Sequence, residues 1–190
     1  MASPFLFFSG EPLSAAELTS ACLDGHLVAL GEGFMHADAV ETRWMRAASL
    51  RPLLSDYLAA TRLTAAWVHG ALPLEPPRHD VQRATSRRLP GMRGRRFVYR
   101  DMQLGTADSE MIAGVHVTTV GRTLADLARS DDPEHQRFAR EWSRTDDDAR
   151  ARALAWVRTH ARYPGTRRAA VLLTEASETP STDTAPGGGA

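Results

Sequence analysis

The chain has 190 residues and a formal net charge of zero, with 23 basic and 23 acidic residues. This length allows one domain, or one domain with a small extra module, to bury a core. Neutrality excludes a global attraction to nucleic acid, so binding of that kind needs a local basic patch. Every basic residue is arginine, which excludes a Walker A or Schiff-base lysine, and the single cysteine, Cys22, excludes an internal disulfide.

The first predicted elements are a capped helix and a hairpin. Ser14 and Glu17 have the spacing of a capping box, and Gly25 is expected to end the helix. Two short apolar runs around a glycine-rich turn, residues 26–35, then predict a hairpin. Helix plus hairpin is the second half of a winged helix-turn-helix. The helix carries no arginine that could contact phosphates. A degenerate winged helix with only a structural role is therefore the alternative to a DNA-binding one.

Three helices are predicted next. The first covers residues 39–50, with Val40 and Trp44 facing inward. The second runs through residues 52–58, and Thr64 caps the third.

The most highly charged region, residues 79–100, is predicted to be a hairpin, since strand-like stretches flank a turn with a proline and two glycines. No acid interrupts its arginines, and Asp80 and Asp101 only flank them. The candidate DNA-binding residues are Arg83, Arg87, Arg88, Arg93, Arg95, Arg96 and Arg100. Guanidinium groups match phosphate oxygens, so the tip suits DNA contact. An edge hairpin kept in solution by its charge is the alternative.

A strand followed by a helix is predicted within residues 112–129. Thr118 or Thr119 is the expected N-cap. The apolar stripe of the helix comprises Val120, Leu124, Leu127 and Ala128. The remaining charged residues, Arg122, Asp126 and Arg129, are expected on a solvated face.

Acidic residues introduce the last helices. Asp131 to Pro133 begins one, and residues 146–148 cap another, where the helix dipole favours aspartate without any metal. The turn at residues 163–165 precedes a third helix. Residues 178–190 are rich in Ser, Thr, Pro and Gly and are predicted to be disordered.

Several of these stretches occur together, in this order, in actinobacterial members of the AbiEi antitoxin family, which the chain resembles over roughly residues 13–173. They read DGHLVALGEGFMH, TAAWVHGALPL, VHVTTVGRTLADLAR and ARYPGTRRAAVLL. The resemblance implies a type IV toxin–antitoxin system whose antitoxin represses its own operon and counters a nucleotidyltransferase-like toxin. The wing of the family carries arginines, whereas the matching residues here, 25–34, carry none.

We therefore predict an α+β protein: a reduced winged-helix-like unit (1–38), a mixed α/β antitoxin-like domain (39–177) and a disordered tail (178–190). We expect a cytoplasmic, non-enzymatic DNA-binding regulator without metal, cofactor or membrane span. A protein-interaction module is the rival interpretation, and a hydrolase using His69, His79 or His116 is a third, although an isolated histidine such as His69 is usually structural.

Overall fold

The structure, a computed structural model, describes residues 5–10, 12–89 and 94–176. These residues hold seven α-helices, a two-stranded sheet and a five-stranded mixed sheet, which confirms the predicted α+β class. In chain order the elements are α1 (Ala15–Leu23), β1 (Leu27–Leu30), β2 (Gly33–His36), α2 (Arg43–Ser49), β3 (Leu58–Ala60), α3 (Arg62–Val68), β4 (His79–Arg83), β5 (Phe97–Gln103), a 3₁₀ turn (Thr106–Asp108), β6 (Ser109–Ile112), β7 (Val115–Thr118), α4 (Val120–Ala128), α5 (Pro133–Thr145), α6 (Asp147–Thr159) and α7 (Thr166–Glu175).

The contacts divide the chain into two compact units, residues 1–123 and 124–190, with the boundary inside α4. The first unit contains α1 to α3 and both sheets, and the second contains α5 to α7. The boundaries after residues 38 and 177 remain predictions.

The helix and hairpin at the N-terminal end lie where the sequence predicts them. The backbone N–H of Glu17 donates to the Ser14 hydroxyl (3.3 Å), and the Ser14 backbone N–H donates to the Glu17 carboxylate (2.7 Å). These reciprocal bonds satisfy two amides that a helix start leaves free. β1 and β2 pair antiparallel, with Leu30 opposite Gly33.

The five-stranded sheet has the order β5-β4-β3-β7-β6. β3 runs parallel to β7 and antiparallel to β4, β4 runs parallel to β5, and β6 runs antiparallel to β7. One face packs into the core of the first unit, in which Leu58, Trp67, Val81 and Val117 are buried. Burial of such large apolar side chains is the main favourable contribution to folding.

The helix predicted over residues 52–58 is wrong. Turns occupy this stretch, and Leu58 is the first residue of β3. All three residues of β3 are buried, so the strand shows none of the period-two alternation that identifies a half-exposed strand. The predicted cap Thr64 is also wrong: Thr61 is the N-cap of α3, and the Thr64 hydroxyl instead accepts a hydrogen bond from the Asp80 backbone N–H (2.8 Å).

The predicted start of the preceding helix is wrong as well. α2 begins at Arg43 because the Thr42 hydroxyl caps it, accepting from the Met45 backbone N–H (3.2 Å). Val40 therefore precedes the helix and is 82% exposed, and Trp44 is 44% exposed rather than inward. The helix thus begins four residues after its predicted start at residue 39, and its buried side chains include Met45.

The second unit follows the predicted order of helices. Asp132 caps α5 and Asp146 caps α6, each accepting from a backbone N–H in the first turn at 2.9 Å. The turn before α7 contains Gly165 at a φ of +80°. The predicted disordered tail, residues 178–190, lies outside the described residues.

Candidate nucleic-acid interface

The arginine-rich region is not a hairpin, and that prediction is wrong. β4 and β5 pair in parallel, with His79 opposite Phe97 and Gln82 opposite Arg100. β5 therefore starts at the same end of the sheet as β4, and the residues between the two strands in the sequence, 84–96, are called the β4–β5 connection. The proline–glycine turn signal does not specify the direction of the following strand, and about a dozen residues are enough to join parallel strands.

Parallel pairing brings the two flanking acids alongside two of the arginines. Arg83 is buried, with its Nε 3.0 Å from Asp101 Oδ1, and it also donates to the Ser86 carbonyl (2.6 Å). Arg100 Nη1 lies 3.5 Å from Asp80 Oδ1. The charges of Arg83 and Arg100 are thus compensated within the sheet.

A third arginine joins the connection to the β1–β2 turn. Arg96 forms an ion pair with Glu32, whose side chain is only 12% exposed. The Glu32 backbone N–H donates to the Ser49 carbonyl (3.1 Å), and the Gly31 backbone N–H donates to the Glu75 carboxylate (3.0 Å). These three contacts hold the turn of the predicted wing against the rest of the first unit.

Glu75 anchors this turn as a carboxylate. His79 Nε2 lies 3.1 Å from Glu75 Oε1, and this hydrogen bond is the main reason that the pKa of Glu75 is lowered from its ordinary value. The turn needs glycine at position 31, where φ is +56° and an added Cβ would lie 2.2 Å from Ser49 Oγ.

The connection leaves three described arginines exposed. Arg87, Arg88 and Arg95 enter none of the ion pairs found in residues 5–10, 12–89 and 94–176. Arg93, the seventh candidate, lies outside the described residues. Within the described part, the structure thus separates three paired arginines from three that can meet an external anion.

The strand–helix joint is built from buried polar groups. Thr119, one of the two expected caps, directly precedes α4, and its hydroxyl accepts from the Arg122 backbone N–H (3.4 Å), while Thr123 Oγ1 donates to the Thr118 carbonyl (3.0 Å). The predicted solvated charged face is wrong: Arg122 is 3% exposed and Asp126 is 5% exposed. Arg122 Nη1 lies 2.6 Å from Asp108 Oδ2, in the 3₁₀ turn. The spacing of residues within α4 could not predict this ion pair, because Asp108 lies outside the helix.

The three histidines of the hydrolase hypothesis occupy different surroundings. Half-buried His69 donates from Nε2 to the Thr118 carbonyl (2.7 Å), and desolvation lowers the pKa of His69 from the ordinary value. His79 is buried against Glu75, and His116 is half-buried on β7. Across the described residues, no group of three His, Cys, Asp or Glu side chains could hold a metal ion.

The helices, the five-stranded mixed sheet and the strand–helix joint together define an α+β protein. A family model described as the AbiEi antitoxin C-terminal domain matches residues 58–175, from β3 to the end of α7. The chain belongs to the AbiEi antitoxin family, as its sequence predicts. No curated protein matches it.

This family is not an enzyme family in general, and an antitoxin implies a toxin partner in general. Among the described helices, none has the length and apolar composition that crossing a membrane requires.

Proposed function

We propose that this AbiEi-family protein binds operator DNA through the arginines of the β4–β5 connection and represses its own toxin–antitoxin operon. One observation carries the proposal: Arg87, Arg88 and Arg95 are exposed and without an acidic partner in the described part of the chain. Exposed guanidinium groups that are not paired with an acid attract phosphate oxygens. Each phosphate contact releases condensed counterions from the DNA. Arg93 belongs to the proposal by its position in the same connection.

The anchoring of the connection supports this assignment. Its two ends are fixed by neighbouring parallel strands, and Arg96 ties it to the β1–β2 turn. A connection held at several points loses less conformational entropy when it binds. Phosphate contacts position a protein on DNA, whereas base contacts select the sequence, so operator choice needs further groups.

The toxin in this proposal is a nucleotidyltransferase-like protein encoded beside the antitoxin, and both act in the cytoplasm. The proposal includes no enzymatic step.

The second candidate function is protein interaction without DNA binding. It is favoured by Trp44 and Met111, which are 44% and 57% exposed on two elements joined by the ion pair between Arg43 and Glu110. Tryptophan, methionine and arginine are enriched at protein interfaces. Co-purification of a protein that depends on Trp44, together with no DNA binding, would support this candidate.

Repression is tested with a reporter gene whose expression is controlled by the DNA that lies upstream of the gene for this protein. The connection variant replaces three residues: Arg87→Ala, Arg88→Ala and Arg95→Ala. The control variant removes the same charge from exposed positions on α5 and α6: Arg137→Ala, Arg144→Ala and Arg152→Ala. We expect the connection variant to lose about tenfold or more in repression, since three phosphate contacts are removed, and the control variant to repress like the wild type. Equal repression by both variants contradicts the proposal.

A further inference from the structure

The second unit carries another basic surface, which the proposed DNA interface does not use. Between Ala149 and Thr174 the sequence has six arginines and neither Asp nor Glu. Three of them pair with acids that lie outside this stretch, namely Arg150, Arg152 and Arg168. The other three are exposed and in no ion pair among residues that the structure describes: Arg158, Arg162 and Arg167.

The position of Arg167 is unfavourable for the stability of its own helix. Arg167 is the second residue of α7, whose first turn contains no acid. A cation there opposes the helix dipole, which favours negative charge at the N-terminal end. The neighbouring Arg168 is compensated by Asp131 (2.8 Å) and by the Arg129 carbonyl (2.8 Å). Arg167 has no such ion pair in the described part, so its charge remains available to an external anion.

Tyr163 lies between these arginines in the sequence, five residues after Arg158 and four before Arg167. Tyr163 is 37% exposed and contacts the rings of Trp156 and His160 edge-on, at centroid distances of 5.6 and 5.5 Å. The Arg129 guanidinium lies 5.3 Å from the Tyr163 ring centre. These contacts fix the ring, so a ligand that stacks on it does not have to order it first.

The turn that presents Tyr163 also has a fixed shape. The single hydroxyl proton of Thr166 has two carbonyl acceptors within reach of Oγ1, those of Ala161 (3.1 Å) and Tyr163 (2.9 Å). At Gly165, φ is +80° and an added Cβ would lie 2.7 Å from the Arg129 carbonyl oxygen. These contacts order the backbone of the turn that carries Tyr163 and the adjacent, exposed Arg162.

We propose that Tyr163, Arg158, Arg162 and Arg167 form a binding surface for single-stranded nucleic acid. The Tyr163 ring stacks on a base while the arginines contact phosphates, a combination that tolerates any sequence. The strand is single because a base can stack on a side chain only after it has left its own helix. These residues do not overlap with the β4–β5 connection, so this surface and the proposed operator binding can fail independently.

Fluorescence anisotropy of the full chain with a fluorescein-labelled oligouridylate of about 12 nucleotides tests this surface. The second-unit variant carries Arg158→Ala, Arg162→Ala and Arg167→Ala. We expect it to bind about tenfold or more weakly than the wild type, and the control variant to bind within about twofold. The connection variant is expected to bind the oligouridylate normally.

Substitutions of Tyr163 separate stacking from charge. Tyr163→Phe is expected to keep the affinity, and Tyr163→Leu, which retains apolar bulk without an aromatic face, to lose about tenfold. Thermal unfolding verifies that each variant is folded. Four results would overturn the proposal: no binding at low salt, equal losses in the second-unit and control variants, no effect of Tyr163→Leu, or tighter binding of polyglutamate, which would identify an acidic protein partner.

Discussion

At the scale of single residues, the ion pair between Arg122 and Asp108 is a strong determinant of stability. Both side chains are buried, and their charged atoms are 2.6 Å apart. Removing the acid breaks a buried charge-assisted hydrogen bond, so we expect Asp108→Ala to lower the free energy of unfolding by about 1.5–3 kcal/mol in urea denaturation. Glu134→Ala, which removes the acid of an exposed pair, is the control and is expected to change it little. An unchanged midpoint for Asp108→Ala would contradict this assignment.

His69 links stability to pH. Its burial lowers the pKa of the imidazole in the folded chain below the ordinary value of about 6.5. Below that pH the unfolded chain binds more protons than the folded chain, so stability is lost as the pH falls through about 6.5 towards the lowered pKa. His69→Gln can donate the same bond to Thr118 without taking up a proton. Urea denaturation at about pH 7.5 and about pH 5.5 should show a smaller loss for this variant than for the wild type. An equal loss would contradict the role of His69.

At the scale of elements, the proposed operator binding gives Glu32 of the β1–β2 turn two opposing effects: its ion pair with Arg96 anchors the connection, but its carboxylate also competes with phosphate for that arginine. Glu32→Gln removes the carboxylate that competes with phosphate, so we expect duplex affinity to rise roughly three- to tenfold, as one further phosphate contact would give. Glu134→Gln adds the same charge at an exposed position of α5 and should have a much smaller effect. An equal gain in both variants would show that only net charge matters.

The elements differ in how far the sequence alone could predict them. The Ser14 cap is confirmed, and Asp132 and Asp146 are the caps within the acidic stretches 131–133 and 146–148 that the sequence predicts as helix starts, because each signal lies within four residues of the amide that it satisfies. The strand β3 was missed because its identity depends on pairing with β7, where Ala59 lies opposite His116. Partners so distant along the chain leave no periodic signal between them.

At the scale of the whole molecule, a net charge of zero conceals two acid-free arginine segments. Composition located the first segment and its seven candidates, but only the strand register shows that Arg83 and Arg100 have partners in the sheet. Sequence reasoning missed the second segment as a site, although the run from Ala149 to Thr174 was a visible signal. A chain with zero net charge has no long-range attraction to nucleic acid, so any phosphate binding must come from these local positive segments. Salt screens such surface interactions effectively.

The salt dependence of duplex binding tests operator binding most directly. Affinity for the upstream DNA would be measured by anisotropy over a range of salt concentrations for the wild type, the connection variant and the control variant. With three or four phosphate contacts, the wild type should show log K falling against log salt with a slope of about −3, at about −0.9 per contact. The connection variant keeps Arg93 and therefore at most one of these contacts, so its slope should lie between zero and about −0.9, whereas the control variant should keep the wild-type slope. The same slope for the connection variant and the wild type would contradict DNA contact by the β4–β5 connection.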